Sequence, residues 1–137
     1  MSLFKIFDTA ASGMSAQSMR LNLVASNMAN VDSVSSSIEQ TYRSRQPVFR
    51  AMMDALNPDK PAVGVQVAGV VESQAPLRRE YLPDHPLADD DGYIFRPNVD
   101  LVEEMANMIS ASRSYQSNVE VVNSAKQMMA ATLRLGE

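Results

Sequence analysis

The side chains able to do chemistry are few. His85, the single histidine of the sequence, follows Pro83 and Asp84 and precedes Pro86. Histidine is the side chain whose ordinary pKa suits proton transfer near neutrality, so with the nearby aspartates it is the base of any enzymatic reading. No Ser or Cys nucleophile signature accompanies it, and no second His shares a metal with it. Its expected role is to pack on, or hydrogen-bond to, the turn its prolines stiffen. Asp89, Asp90 and Asp91 followed by Gly92 raise a calcium loop. Aligning Gly92 with the sixth loop position, however, puts Leu87 first and Asn98 last, where carboxylates belong. A solvated acidic turn is expected instead. The sequence has no Cys, which removes thiolate metal sites, disulfides and cysteine nucleophiles. These residues predict no enzyme, no metal and no cofactor.

Arg43, Arg45 and Arg50 beside Phe49, and the pair Arg78 and Arg79, are candidate phosphate contacts. Yet 12 basic against 16 acidic residues give a net charge of −4, and no nucleic-acid motif is present. Nucleic acid is not an expected partner, and ion pairs between subunits are the expected use. Glycine-rich phosphate loops are absent, since neither Gly64 nor Gly69 is followed by a helix-opening Gly or Lys-Ser/Thr. The longest apolar run, Val67 to Val71, is far below the roughly 20 residues of a membrane span, so no membrane insertion is expected. Asp8 follows Ile6 and Phe7 too closely for an apolar segment of secretory-signal length.

All seven Pro lie between Pro47 and Pro97, so both flanks are free to be helical. The expected organisation is an N-terminal helix within 1–36, a middle segment over 37–97 and a C-terminal helix within 98–137. In the first flank Ile6, Ala10, Met14, Gln17, Leu21, Val24, Met28 and Val31 recur at threes and fours. In the second, Leu101, Met105, Met108, Ser112, Tyr115, Val119, Val122, Lys126, Met129 and Leu133 do the same. Both are heptad-like stripes, and most of the ten Met are expected as gap-filling core within or beside them. Asp100 and Glu103 fit a capping box, with Asn98 as the competing cap, and Arg134 and Gly136 mark the end of the second helix. Asp32, Ser33 and Ser35 to Ser37 favour local hydrogen bonds over a continued first helix. Between the helices, Val63, Val65 and Val67 alternate with small or polar residues before Gly69, which predicts a strand with a bulge at glycine. Tyr93 to Phe95 after Asp91-Gly92 predicts a second strand. Tyr42 to Phe49 predicts a third that must hold Pro47 at an edge. The fold class expected is mainly α, with a small irregular β-containing middle.

From residue 1 to 38 the only charged side chains are Lys5, Asp8, Arg20 and Asp32. An uncharged Ser, Asn and Gln face can be covered by another chain without burying an unpaired ion. Gly13, in the small-residue run Thr9 to Ala16, costs about 1 kcal/mol relative to Ala within a helix. Either another backbone comes close there or the helix bends to meet a neighbour. Two long helices with more apolar surface than one pair buries predict assembly.

Several stretches carry a resemblance. They are Gly92-Tyr93, Pro97-Asn98-Val99-Asp100, Glu104-Met105, Ala111 to Asn118 and Lys126 to Met129, with Tyr42-Arg43, Pro47-Val48-Phe49 and Glu72 to Pro76 in the middle. Ser26-Asn27-Met28-Ala29-Asn30 resembles the Ser-Asn-x-Ala-Asn box of rod and hook proteins, followed here by Val31, Asp32 and Ser33 rather than the frequent Ala and Thr. The chain thus resembles, over nearly its whole length, the proximal-rod members of the flagellar axial proteins. That resemblance implies a structural subunit with no active site, exported through the flagellar type III apparatus to the basal body. It implies terminal helices paired as a coiled coil, and a helical assembly with copies of itself, other rod subunits and membrane-ring or rod-adaptor proteins. The expected helix seam and packing residues are Met14, Leu21, Val24, Met28, Met105, Met108, Tyr115, Val119, Val122, Met129 and Leu133, with Asn27, Asn30, Arg113 and Asn118 making polar contacts. A helical adaptor or chaperone-like module of a type III export system is the alternative reading, binding one partner through its Met-rich face.

Overall fold

The structure, a computed structural model, describes residues 3–53 and 64–136. Two long helices bracket the chain, α1 over Leu3–Ala29 and α2 over Leu101–Leu135. Between them lie four strands, β1 (Arg45–Met52), β2 (Gly64–Glu72), β3 (Arg78–Tyr81) and β4 (Tyr93–Arg96). The strands form two separate antiparallel ribbons, β1 with β2 and β3 with β4.

Helix α1 stops where polar side chains compete for its carbonyls. The Asn30 side-chain amide donates to Ser26 O at 2.8 Å, the carbonyl that its own backbone N–H also reaches, and the Ser33 hydroxyl donates to Asn30 O. The helix therefore ends two residues short of Val31, the last position of the apolar stripe. Helix α2 starts on Asp100, whose Oδ1 accepts from the N–H groups of Val102 at 2.9 Å and Glu103 at 3.2 Å. Asn98, the competing cap, is used elsewhere. At the far end Gly136 keeps a right-handed conformation and donates its N–H to Leu133 O at 3.2 Å.

Pro47 sits inside β1 opposite Val70, which a two-stranded ribbon tolerates because each of its strands is an edge. The bulge falls one residue from the glycine that signalled it. Val48 pairs with Gly69 and Phe49 with Val67, so Ala68 is the extra residue. Val63, the first residue of the expected alternation, lies outside the described residues. Strand β3 was not foreseen; its sequence, Arg-Arg-Glu-Tyr, is charged and exposed throughout. Gly92 has φ +81°, a left-handed conformation that glycine adopts without strain. Strand β4 is the centre of the small middle core. It pairs with β3 on one side and bridges to Ser35 on the other, leaving Ile94 and Pro97 fully buried and Val99 nearly so.

The helices pack antiparallel. Asn27 meets Glu104, Arg20 meets Asn107, and Gly13 meets Asn118. The residues closed off from solvent along this seam are small: Ala10, Ala16 and Val24 on α1, and Ala111 and Ala125 on α2. The inner face of α2 thus follows Glu104, Ala111, Asn118 and Ala125, with Met108, Val122 and Met129 half-buried beside it. The large apolar flank of the stripe, with Leu101, Met105 and Leu133, faces outward. Small side chains let two helix backbones approach closely, so this geometry selects size over hydrophobicity.

The small-residue run of α1 serves two neighbours. A Cβ on Gly13 would lie 2.8 Å from Asn118 Nδ2, so the absent side chain makes room for the asparagine. One residue earlier, the Ser12 hydroxyl accepts from the backbone N–H of Val65 at 3.1 Å, and a Cβ on Gly64 would lie 2.6 Å from the same oxygen. The backbone of β2 therefore comes directly against α1.

Candidate functional site

Two features stand out: a buried polar junction that fixes the helix pair to the middle segment, and the apolar flanks the pair leaves open. Asn27 is 1% exposed and lies at the centre of the junction. Its amide nitrogen donates to Arg45 O at 2.9 Å and to Glu104 Oε1 at 3.0 Å, with Ser44 Oγ at 3.3 Å. Its Oδ1 accepts from the Arg45 N–H at 2.9 Å and from the Tyr42 hydroxyl at 2.8 Å. All the hydrogen-bonding capacity of the side chain is used. The amide pairs with both the N–H and the C=O of Arg45, the same couple a neighbouring strand would offer, and so docks the first residue of β1 onto α1.

Asn98 repeats the device from the other side. Its Oδ1 accepts from the Ser44 N–H at 2.8 Å, and its amide donates to Ala75 O at 2.9 Å and Ser73 O at 3.2 Å. The Arg43 guanidinium donates to the same two carbonyls. Three other arginines of the middle segment are also engaged within the chain. Arg45 pairs with Glu72 at 3.3 Å, Arg79 stacks on Tyr93, and Arg78 donates to Pro97 O. The exposed Arg45–Glu72 pair contributes at most about 1 kcal/mol.

Glu104, which the sequence marked only within the stretch Glu104-Met105 and not as a contact residue, completes the junction. It is 4% exposed, its Oε1 accepts from Asn27, and its Oε2 is buried without a partner among the described residues. Burial pushes its carboxyl above the ordinary carboxylate range, with Glu103 adding to the rise. The Asn27 and Ser44 hydrogen bonds and the Arg20 charge oppose it. The signal available in the sequence was its position three residues after Leu101, on the side of the helix that carries Ala111 and Ala125.

The remaining expected residues divide by exposure. Met14, Leu21, Met28, Met108, Val119, Val122 and Met129 are half-buried, and Val24 is buried in the seam. Asn30 caps its own helix end, as described, and Asn118 fills the space over Gly13. Arg113 is exposed, as are Met105, Tyr115 and Leu133. On α2, Leu101, Val102, Met105 and Ile109 leave one flank apolar and open. Val121, Met128 and Leu135 recur at heptad spacing on the other. There, an open groove of about 440 Å³ is lined by Ile6, Val121, Ala125 and Met128.

The residues that raised catalysis serve the β3–β4 turn. His85 Nδ1 accepts from the Leu87 N–H at 3.1 Å, and Asp89 Oδ1 accepts from the N–H groups of Tyr93 at 2.7 Å and Asp91 at 3.1 Å. Among the described residues no group of three or more His, Asp or Glu is placed to hold a metal ion, and no helix is long and apolar enough to cross a membrane.

Comparison with known proteins follows the two helices. A family model described as flagella basal body rod protein matches residues 7–35, and one described as the C-terminal region of flagellar basal body rod FlgEFG proteins matches residues 90–135. Over the full length of both chains, the sequence is 54% identical to the flagellar basal-body rod protein FlgC of Salmonella typhimurium and 53% identical to that of Escherichia coli. It is 34% identical to the FlgC of Borreliella burgdorferi over 98% of each chain.

Proposed function

From the premise that this chain belongs to the FlgC family of flagellar basal-body rod proteins and is a structural subunit of that rod, we propose how its surfaces build the assembly. The paired helices act as an antiparallel coiled coil. In support, Asn27 opposite Glu104 and Gly13 opposite Asn118 are two heptads apart on each helix. The inner seam holds Met14, Leu21, Val24, Met28, Met108, Val119, Val122 and Met129, while Met105, Arg113, Tyr115 and Leu133 meet neighbouring subunits. Those neighbours are other rod subunits, further copies of the chain, and membrane-ring or rod-adaptor proteins. The subunit has no active site. It reaches the basal body through the flagellar type III apparatus and forms part of the proximal drive shaft that carries torque to the hook.

The observation that carries this reading is the exposure of large apolar side chains on both flanks of a helix pair whose inner face is already filled. Met105, 47% exposed, tests it. In cells whose own copy is deleted, the Met105→Asp chain is expected to leave swimming abolished, because it buries an unpaired charge in a covered interface. The purified variant is expected to keep the helix content of the parent by circular dichroism. Normal swimming with the variant would overturn the assignment of this flank to subunit packing.

A further inference from the structure

The junction contains a titratable group that rod assembly does not by itself require. Glu104 reaches the Asn27 amide with Oε1 and holds Oε2 out of solvent with no donor in reach among the described residues. Neither form is fully satisfied there, but a neutral carboxyl leaves only a hydroxyl unpaired, whereas an ion leaves a charged oxygen buried without a donor, the costlier of the two. Beside it, between α1, β1 and α2, lies a cavity of about 410 Å³ lined by Arg20, Arg45, Glu103 and Asn107 among others. The charged and titratable groups around Glu104 are therefore Glu103 on its own helix, Arg20 on α1, Arg45 on β1, and Tyr42, which reaches it through Asn27. Arg45 is held by Glu72, and Tyr42 by Asn27 and Ser26. Among the described residues Arg20 donates to the neutral Asn107 Oδ1, at 2.8 Å, and so is the cation able to change partner.

We propose that Glu104 is a proton-operated latch between the helix pair and the middle segment. Neutral, it stays against Asn27 and closes the junction. Ionised, it turns into the neighbouring cavity, where Arg20 leaves Asn107 to meet the new charge, and Asn27 loses its bond to the carboxyl. The folded chain binds this proton more tightly than the unfolded chain does. The junction is therefore firmest below the ordinary glutamate value of about 4.3 and loosens as the pH rises through the higher folded value.

The test uses the full chain. The Glu104 side-chain carboxyl is followed by carbon NMR against pH, together with hydrogen exchange of the Arg45 amide that Asn27 holds. The expected result is a midpoint above the ordinary glutamate value, with Arg45 exchange accelerating across that midpoint beyond what base catalysis of exchange supplies. Glu104→Gln keeps the acceptor and cannot ionise, so its Arg45 amide should lose the extra acceleration while the fold persists. Arg20→Gln removes the cation that receives the charge and should move the midpoint further up. An ordinary or lower midpoint, or a Glu104→Gln chain with the parent's pH dependence, overturns the latch.

Discussion

Replacing Asn27 with alanine removes a side chain that satisfies both backbone groups of Arg45 and one oxygen of Glu104. Tyr42 keeps Ser26 as a partner and Glu104 Oε1 keeps the Ser44 hydroxyl at 3.4 Å, so the stranded groups are the N–H and the C=O of Arg45. Each buried group left without a partner costs about 1–3 kcal/mol, toward the low end where water can re-enter, as it can at the partly exposed Arg45. Alanine returns about 0.5 kcal/mol through its better helix propensity. The net expected loss is about 2 kcal/mol, roughly thirtyfold in the folding equilibrium. Urea unfolding of the full chain, followed by far-ultraviolet circular dichroism, measures it as a lower midpoint at unchanged slope. Asn30→Ala is the control: that side chain makes a single local bond to Ser26 O, so its loss should be well under about 1 kcal/mol. Equal losses for the two variants would refute the junction as the place where helix pair and middle segment are fixed.

Two further substitutions probe close approaches. Gly92→Ala forces a side chain onto φ +81° with its Cβ 2.9 Å from the Tyr81 ring, which should cost about 2 kcal/mol. The loss should appear as faster amide exchange in β3 and β4 with α1 and α2 unaffected. Gly13→Ala presses on Asn118 Nδ2, so its thermal midpoint should respond to whether Asn118 is present. In a double-mutant cycle with Asn118→Ala the two changes should be non-additive by about 0.5 kcal/mol or more, and simple additivity would place the asparagine away from the glycine.

The helices were legible because proline is confined to the middle and because threes and fours repeat over both flanks. Which face turned inward was not. A stripe drawn through Leu101, Met105 and Leu133 weighs apolar size, whereas the seam inside one chain is set by how near two backbones can come, which favours Ala111, Ala125 and Gly13. The same size rule explains why Glu104 was passed over: a charge reads as a solvated position until its partner, seventy-odd residues away, is known. Asn27 was readable as a polar contact, but not that it would bind the peptide group of Arg45, because side-chain pairing to backbone leaves no periodic trace. Strand β3 was hidden for a different reason. Its residues are exposed throughout, so no burial pattern distinguishes them from a loop, and its packing partners lie across the ribbon, Tyr81 against Tyr93 at 5.1 Å between ring centroids and Arg79 over the Tyr93 ring.

The way Asn27 holds Arg45 has a mechanical consequence. A ribbon attached to a helix by bonds spread along its length can be peeled, each contact failing in turn under a small force. Here the N–H and the C=O of one residue are gripped by one rigid amide, whose other contacts run to Tyr42 and to the second helix. A pull on β1 loads these bonds together, and they must fail together. Strain entering through β1 is thereby delivered to both helices near the end of α1 and the start of α2, while β2 bears separately on α1 through Ser12 and Val65.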